Sequence, residues 1–106
     1  MRSEFKSNHV SDSNGNPTGG TTYGQGFAIG WQNGPLGRDI DRIQPNGAFV
    51  EDIIAAALDR LDYYQRSRFQ CKENAEAMHH LNEALRWLQE RTAKREERQV
   101  EGTHVA

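Results

Sequence analysis

Along the chain, hydrophobic positions are scarce at first and then fall into two different rhythms. Residues 1–25 are nearly devoid of large apolar groups, and positions 11–22 read Ser-Asp-Ser-Asn-Gly-Asn-Pro-Thr-Gly-Gly-Thr-Thr. Such a stretch buries too little surface to offset its own ordering entropy. Residues 1–25 are therefore expected to form a mobile or partner-ordered arm. From Gly26 the pattern changes. Phe27, Ile29 and Trp31 alternate with Ala28, Gly30 and Gln32, a period of two that predicts a short strand with one buried face. Asn33-Gly34-Pro35 supplies a turn. A weaker extended stretch over about 40–44, carrying Ile40 and Ile43, is the expected second strand of a ribbon, and Asn46-Gly47 leads into a helix with Asn46 as its cap.

The second rhythm is helical. Val50, Ile53, Ile54, Ala57, Leu58, Leu61 and Tyr64 recur at spacings of three and four, predicting a helix over about 48–65. Glu51 and Asp52 fall in its first turn, where acids favour the dipole. A connector over 66–71 follows, with Phe69 its expected anchor. Met78, Leu81, Leu85 and Leu88, widened by Ala77, Ala84 and Trp87, predict a second helix over about 72–98. At 1.5 Å per residue the two helices are roughly 27 and 40 Å long. The second overhangs the first, which points to another subunit at its far end. Gly102 is expected to break the helix in the tail. The fold class is thus α+β: a short N-terminal antiparallel β-ribbon packed on a two-helix antiparallel hairpin, assembled as a homo-oligomer. The expected organisation is an arm over 1–25 and one domain over 26–106.

Composition narrows the function. With 106 residues, 35% hydrophobic, the chain has one small core at most, and oligomerisation would help it. A net charge of −2 does not suggest a general binder of DNA or RNA. No apolar run approaches the ~20 residues of a spanning helix, and Met1 to His9 lacks a signal-peptide core. The single cysteine, Cys71, fits a reducing compartment. His79 and His80 are adjacent and so lie about 100° apart on a helix, unlike the i, i+4 pair that zinc favours; no metal or other cofactor is expected. Scattered carboxylates and the absence of a nucleophile elbow or a phosphate-cradling loop argue against an enzyme, and no catalytic residue is assigned.

Three features have chemistry to offer. Arg91, Arg95 and Arg98 share a helix face with Trp87, either as a solvated helix end favoured by the dipole or as a phosphate-binding row. Tyr63 and Tyr64 are either rim aromatics or a base-stacking platform. Asn74 is either a cap or early-turn residue, or a reader of a base edge. His104 lies beside Thr103 in the tail.

The run Cys71-Lys-Glu-Asn-Ala-Glu-Ala, then Leu81-Asn-Glu-Ala-Leu-Arg-Trp-Leu, then Arg91-Thr-Ala-Lys-Arg-Glu-Glu-Arg-Gln-Val-Glu-Gly-Thr-His resembles the phage sponges that oppose the CBASS and Thoeris immune systems by sequestering cyclic nucleotide signals. The resemblance covers about residues 27–104 and is closer to the anti-Thoeris branch. It implies a homo-oligomer, a hexamer of antiparallel hairpins, acting in the cytoplasm of the infected bacterial host. It also implies a pocket between paired protomers for a cyclic dinucleotide or a cyclic ADP-ribose isomer. By motif position Tyr64 resembles the family's stacking aromatic, a phenylalanine elsewhere. Asn74 resembles its polar reader, and Arg91 and Arg95 its phosphate-binding arginines. A second pocket, on a threefold axis, takes cyclic trinucleotides in some members, and Gly102, Thr103 and His104 stand nearest to it. Many members carry Arg-Gly-Val where this chain has Arg98-Gln99-Val100. The alternative function is a helical-hairpin interaction module docking its Leu/Trp stripe on a host protein.

Overall fold

The computed structural model describes residues 4–106; residues 1–3 of the expected arm lie outside the described residues. The chain divides into two units. One holds the chain up to Phe49 together with Gln99–Ala106, and the other is Val50–Arg98.

The first unit is a three-stranded antiparallel sheet in the order β1-β2-β3, with β1 at Phe5–Ser11, β2 at Pro17–Gly24 and β3 at Phe27–Trp31. β3 is the expected strand, but its partner is β2. The polar stretch expected to be an arm supplies two strands. What holds it is hydrogen bonding rather than an apolar face. The ladder pairs His9 with Gly20 and Ser7 with Thr22, then Thr22 with Ile29 and Gly20 with Trp31. Across the strands runs a hydroxyl chain: Trp31 Nε1 donates to Thr22 Oγ1 at 2.8 Å, and Thr22 Oγ1 and Ser7 Oγ share a hydrogen bond of 2.9 Å. The β1–β2 turn is built on Asp12. Its carboxylate accepts from the backbone N–H of Asn14 at 2.9 Å and of Asn16 at 3.0 Å, and from Asn16 Nδ2 at 3.2 Å. These bonds, the Asn16 backbone amide foremost, hold the Asp12 carboxyl below its usual range.

The stretch over 40–44 is not a strand. Asp39–Asp41 forms a single 3-10 turn, with Asp39 at φ 51°, and Ile40 is 97% exposed. Two isoleucines three apart mimicked a strand, but the left-handed Asp39 turns the chain away from extension. β3 meets instead a parallel bridge between Trp31 and Ala48. Gln32 N–H donates to Ala48 O at 3.0 Å and Ala48 N–H to Gly30 O at 2.7 Å. Asn46 does not cap the helix. Its Oδ1 accepts from Asn33 N–H at 2.8 Å, and its own N–H donates to Gln32 Oε1 at 2.9 Å. It fastens the returning loop to the end of β3.

The second unit is the helical hairpin, α1 at Val50–Gln65 and α2 at Lys72–Glu97, packed on each other. The half-buried positions of α1 are Glu51, Ile53, Ile54, Leu58, Leu61 and Gln65. Those of α2 include Asn74, Met78, Leu81, Ala84, Leu85, Leu88 and Arg95. Asn74, Met78, Leu81, Leu85 and Leu88 are spaced by fours and threes, and half-buried Arg95 falls one full heptad beyond Leu88, on the same side of the helix. Phe69 does not anchor the connector; it is 63% exposed with the Arg68 guanidinium 4.7 Å above its ring. The connector is closed by Gln65, whose Nε2 donates to Cys71 O and whose Oε1 accepts from Cys71 N–H, both at 3.0 Å. With 16 residues in α1 and 26 in α2, about 15 Å of α2 extends past α1. None of the described residues is fully buried. Among them no helix is long and apolar enough to cross a membrane.

Candidate functional site

At the connector end of the hairpin, the last turn of α1 presents Tyr63 and Tyr64, their ring centroids 6.0 Å apart and tilted by 58°. Tyr64 is 37% exposed. Arg60, one helical turn earlier, lies with its guanidinium carbon 4.9 Å from each ring centroid. Its Nε donates to the Tyr64 hydroxyl at 3.2 Å, a bond that raises the Arg60 pKa further above its ordinary value. The i−4 and i−3 spacing of Arg60 from the two tyrosines is the sequence signal for this cluster. The Tyr64 hydroxyl is the hydrogen-bond acceptor that Arg60 uses while lying over both rings.

Asn74 stands beside the same end, at the third position of α2. Cys71 is the cap: its Sγ accepts from Asn74 N–H at 3.4 Å. The Asn74 side chain turns back, with Nδ2 donating to Phe69 O at 3.4 Å. Asn74 is therefore an early-turn residue that holds the connector, and it is half-buried.

The arginines lie at the other end. Seventeen residues of helix separate Arg91 from Asn74, about 25 Å. Both Arg91 and Arg95 fall in the overhang of α2. Arg91 is exposed and Arg95 half-buried. Arg95 lies only about 20° around the helix from Leu88, since seven residues nearly complete two turns. Their neighbours Glu90 and Lys94 stand 4.0 Å apart as an i, i+4 pair. Trp87 is 61% exposed, with the Arg86 guanidinium 5.0 Å from its ring centroid. A single hairpin thus carries Tyr64 and Asn74 at one end and Arg91 and Arg95 at the other.

The tail belongs to the sheet unit. Gln99 adopts φ 59° and Gly102 φ 81°. Gly102 O accepts from Gly37 N–H at 2.8 Å. Arg38 Nη1 donates to Glu101 O at 2.9 Å, and Arg42 Nη1 reaches Glu101 Oε2 at 2.7 Å. The Thr103 hydroxyl donates to Val100 O at 2.5 Å and accepts from Val105 N–H at 3.2 Å. It closes a turn of its own, and His104 stands exposed just beyond it.

The sequence profile of the Acb2/Tad1 hairpin domain matches residues 24–93. The chain belongs to that family. The matched span covers β3, α1 and most of α2, and with them Tyr64, Asn74 and Arg91. β1, nearly all of β2, Arg95 and the tail fall outside it. Among similar proteins is "Thoeris anti-defense 1" of Bacillus phage SBSphiJ7, 58% identical over 59 residues, which are 56% of this chain and 42% of that protein. The alignment thus spans less than half of that relative's length.

Proposed function

We propose that this protein sequesters cyclic nucleotide immune messengers, without transforming them, and so blinds a bacterial anti-phage defence of the Thoeris or CBASS type. It acts inside the infected host. The observation that carries this reading is the two-ended hairpin. Asn74, beside Tyr64, and Arg91 lie about 25 Å apart along α2, too far for these groups to meet on one cyclic dinucleotide. A second hairpin, laid antiparallel, brings the Tyr64 and Asn74 end of one chain to the Arg91 and Arg95 end of the other. The incompletely buried helix rows supply the surface for that pairing, and the relationship to an anti-defence protein of a phage supports the biological role.

In such a pocket Tyr64 stacks a base or the adenine of a cyclic ADP-ribose isomer, Asn74 reads a base edge, and Arg91 and Arg95 pair with the phosphates. Gly102, Thr103 and His104 serve a second, cyclic trinucleotide site in a hexamer. Sequestration requires no chemistry, only affinity: ~1 nM corresponds to about −12 kcal/mol. Two charge-assisted phosphate contacts and stacking of about 1–3 kcal/mol per base are of the right order after ordering costs. Native mass spectrometry against cyclic dinucleotides, cyclic trinucleotides and cyclic ADP-ribose isomers tests the reading. It predicts a multimer that gains whole ligands in fixed ratio to subunits and returns them intact on denaturation. Hydrolysed ligand would make the protein a nuclease, and a multimer that takes none of the panel would leave a protein-docking hairpin.

A further inference from the structure

The tail reaches its position through contacts that neither the resemblance nor the proposed ligand roles account for. Glu101 is gripped twice from the loop between β3 and α1. Arg38 donates to its backbone carbonyl, and Arg42 pairs with its carboxylate at 2.7 Å. The Glu101 side chain keeps only 19% of its exposure, against 45% for Arg42. The next residue, Gly102, lies so close to Gly37 that a Cβ there would stand 2.2 Å from the Gly37 carbonyl oxygen. Beyond it the Thr103 hydroxyl is spent on its own turn. Three residues of one loop, Gly37, Arg38 and Arg42, thus fix a tail segment that leaves a helix through a left-handed glutamine.

We propose that Glu101 is a positioning residue: clamped by Arg38 and Arg42, it sets where Gly102, Thr103 and His104 stand for a cyclic trinucleotide. This rests on the sequestration reading above and names the device that makes its second site. The clamp sits in the sheet unit, whereas the dinucleotide groups sit on the hairpin, so the two ligand classes depend on it differently. Without the Arg42–Glu101 pair the tail keeps the bonds that its backbone carbonyls accept from Gly37 and Arg38 and loses the grip on the Glu101 carboxylate, so its position is less sharply fixed. An ordered ligand contact then has to bear the ordering cost as well.

The test is calorimetric titration of the full-length protein with cyclic tri-AMP and, separately, with 3′,3′-cyclic GMP-AMP. Wild type, Glu101→Gln, Arg42→Ala and Arg42→Lys are compared. A partly exposed ion pair is modest, so Glu101→Gln and Arg42→Ala should weaken the trinucleotide about fivefold. Arg42→Lys should restore most of that loss, and dinucleotide affinity should stay at the wild-type value in all three. Unchanged trinucleotide affinity in Glu101→Gln overturns the proposal, as does an equal loss of both ligands, which would make Glu101 merely structural. A wild type that binds the dinucleotide and not the trinucleotide also overturns it while leaving sequestration standing. A wild type that binds neither removes the functional reading and the proposal together.

Discussion

Gly20→Ala is the sharpest probe of the sheet that the polar N-terminal stretch forms. Gly20 sits in β2 at φ 128°, and a Cβ there would lie 2.0 Å from Asn8 O and 3.1 Å from His9 Cα. Both obstacles are backbone of β1, so no side chain can swing aside. The dihedral alone costs an alanine about 1–3 kcal/mol. Parting the strands enough to admit the methyl group also costs ladder bonds at about 1 kcal/mol each. A combined penalty of about 3 kcal/mol corresponds to a change of roughly 100-fold in the docking equilibrium of β1. β1 has no buried side chain to resist it, since every one of its positions is exposed. Hydrogen exchange followed by mass spectrometry reads this directly. The amides of β1 that donate to β2 should exchange roughly 100-fold faster, while those of α1 and α2 keep their protection. If β1 exchanges at the wild-type rate, the stretch is not held by the ladder described here. If it exchanges freely already in the wild type, the stretch is an arm after all.

Other expectations follow from the hairpin, the tail and the turn. Arg91→Ala should abolish cyclic dinucleotide binding and leave the native mass of the oligomer unchanged, because Arg91 is exposed and off the apolar row; dissociation to monomers would make it structural. Gln99→Gly should stabilise the tail by about 1 kcal/mol, since glutamine carries a left-handed φ of 59° there, and slower exchange at the Gly37 amide would register it. Gln65→Ala removes both 3.0 Å bonds to Cys71 and should lower hairpin stability by about 1–2 kcal/mol in urea titration; an unchanged midpoint would refute that role. The Asp12 carboxyl is depressed by its bonds to Asn16, so its contribution is complete above the ordinary carboxylate range and lost as pH falls through the depressed value. Protection of the turn amides of Asn14 and Asn16, taken relative to the intrinsic exchange rate at each pH, should therefore fall only below about pH 4, and a loss of protection near neutrality would exclude Asp12 as the cause.

The helices were the legible part of the fold because their stability follows from side-chain spacing. The rows through Ile53, Ile54, Leu58 and Leu61, and through Met78, Leu81, Leu85 and Leu88, fix both helices to within two residues of their observed ends. The sheet was legible only at β3, where Phe27, Ile29 and Trp31 alternate. β1 and β2 are held by backbone ladders, an Asp12 turn and the hydroxyls of Ser7 and Thr22, none of which leaves an apolar signature. Ile40 and Ile43 gave a false strand because periodicity cannot report the left-handed φ of Asp39. At the candidate site, motif position pointed to Tyr64, Asn74 and Arg91, but sequence did not reveal that Asn74 braces the connector or that Arg60 lies over Tyr64. Those contacts depend on rotamers, and the clamp on Glu101 joins residues about 60 positions apart in sequence.

The length of α2 also has a genetic consequence. If the stacking half and the phosphate half of a pocket come from different chains, a lesion in one half does not spoil the other half of the same molecule. Two inactive alleles, one altered at Tyr64 and one at Arg91, would then complement each other when co-expressed. Some pockets of the mixed assembly would draw their intact Tyr64 from one polypeptide and their intact Arg91 from the other. Either allele alone would be fully defective. Recombination between related phages would therefore meet a gene whose damaged copies still have value in company.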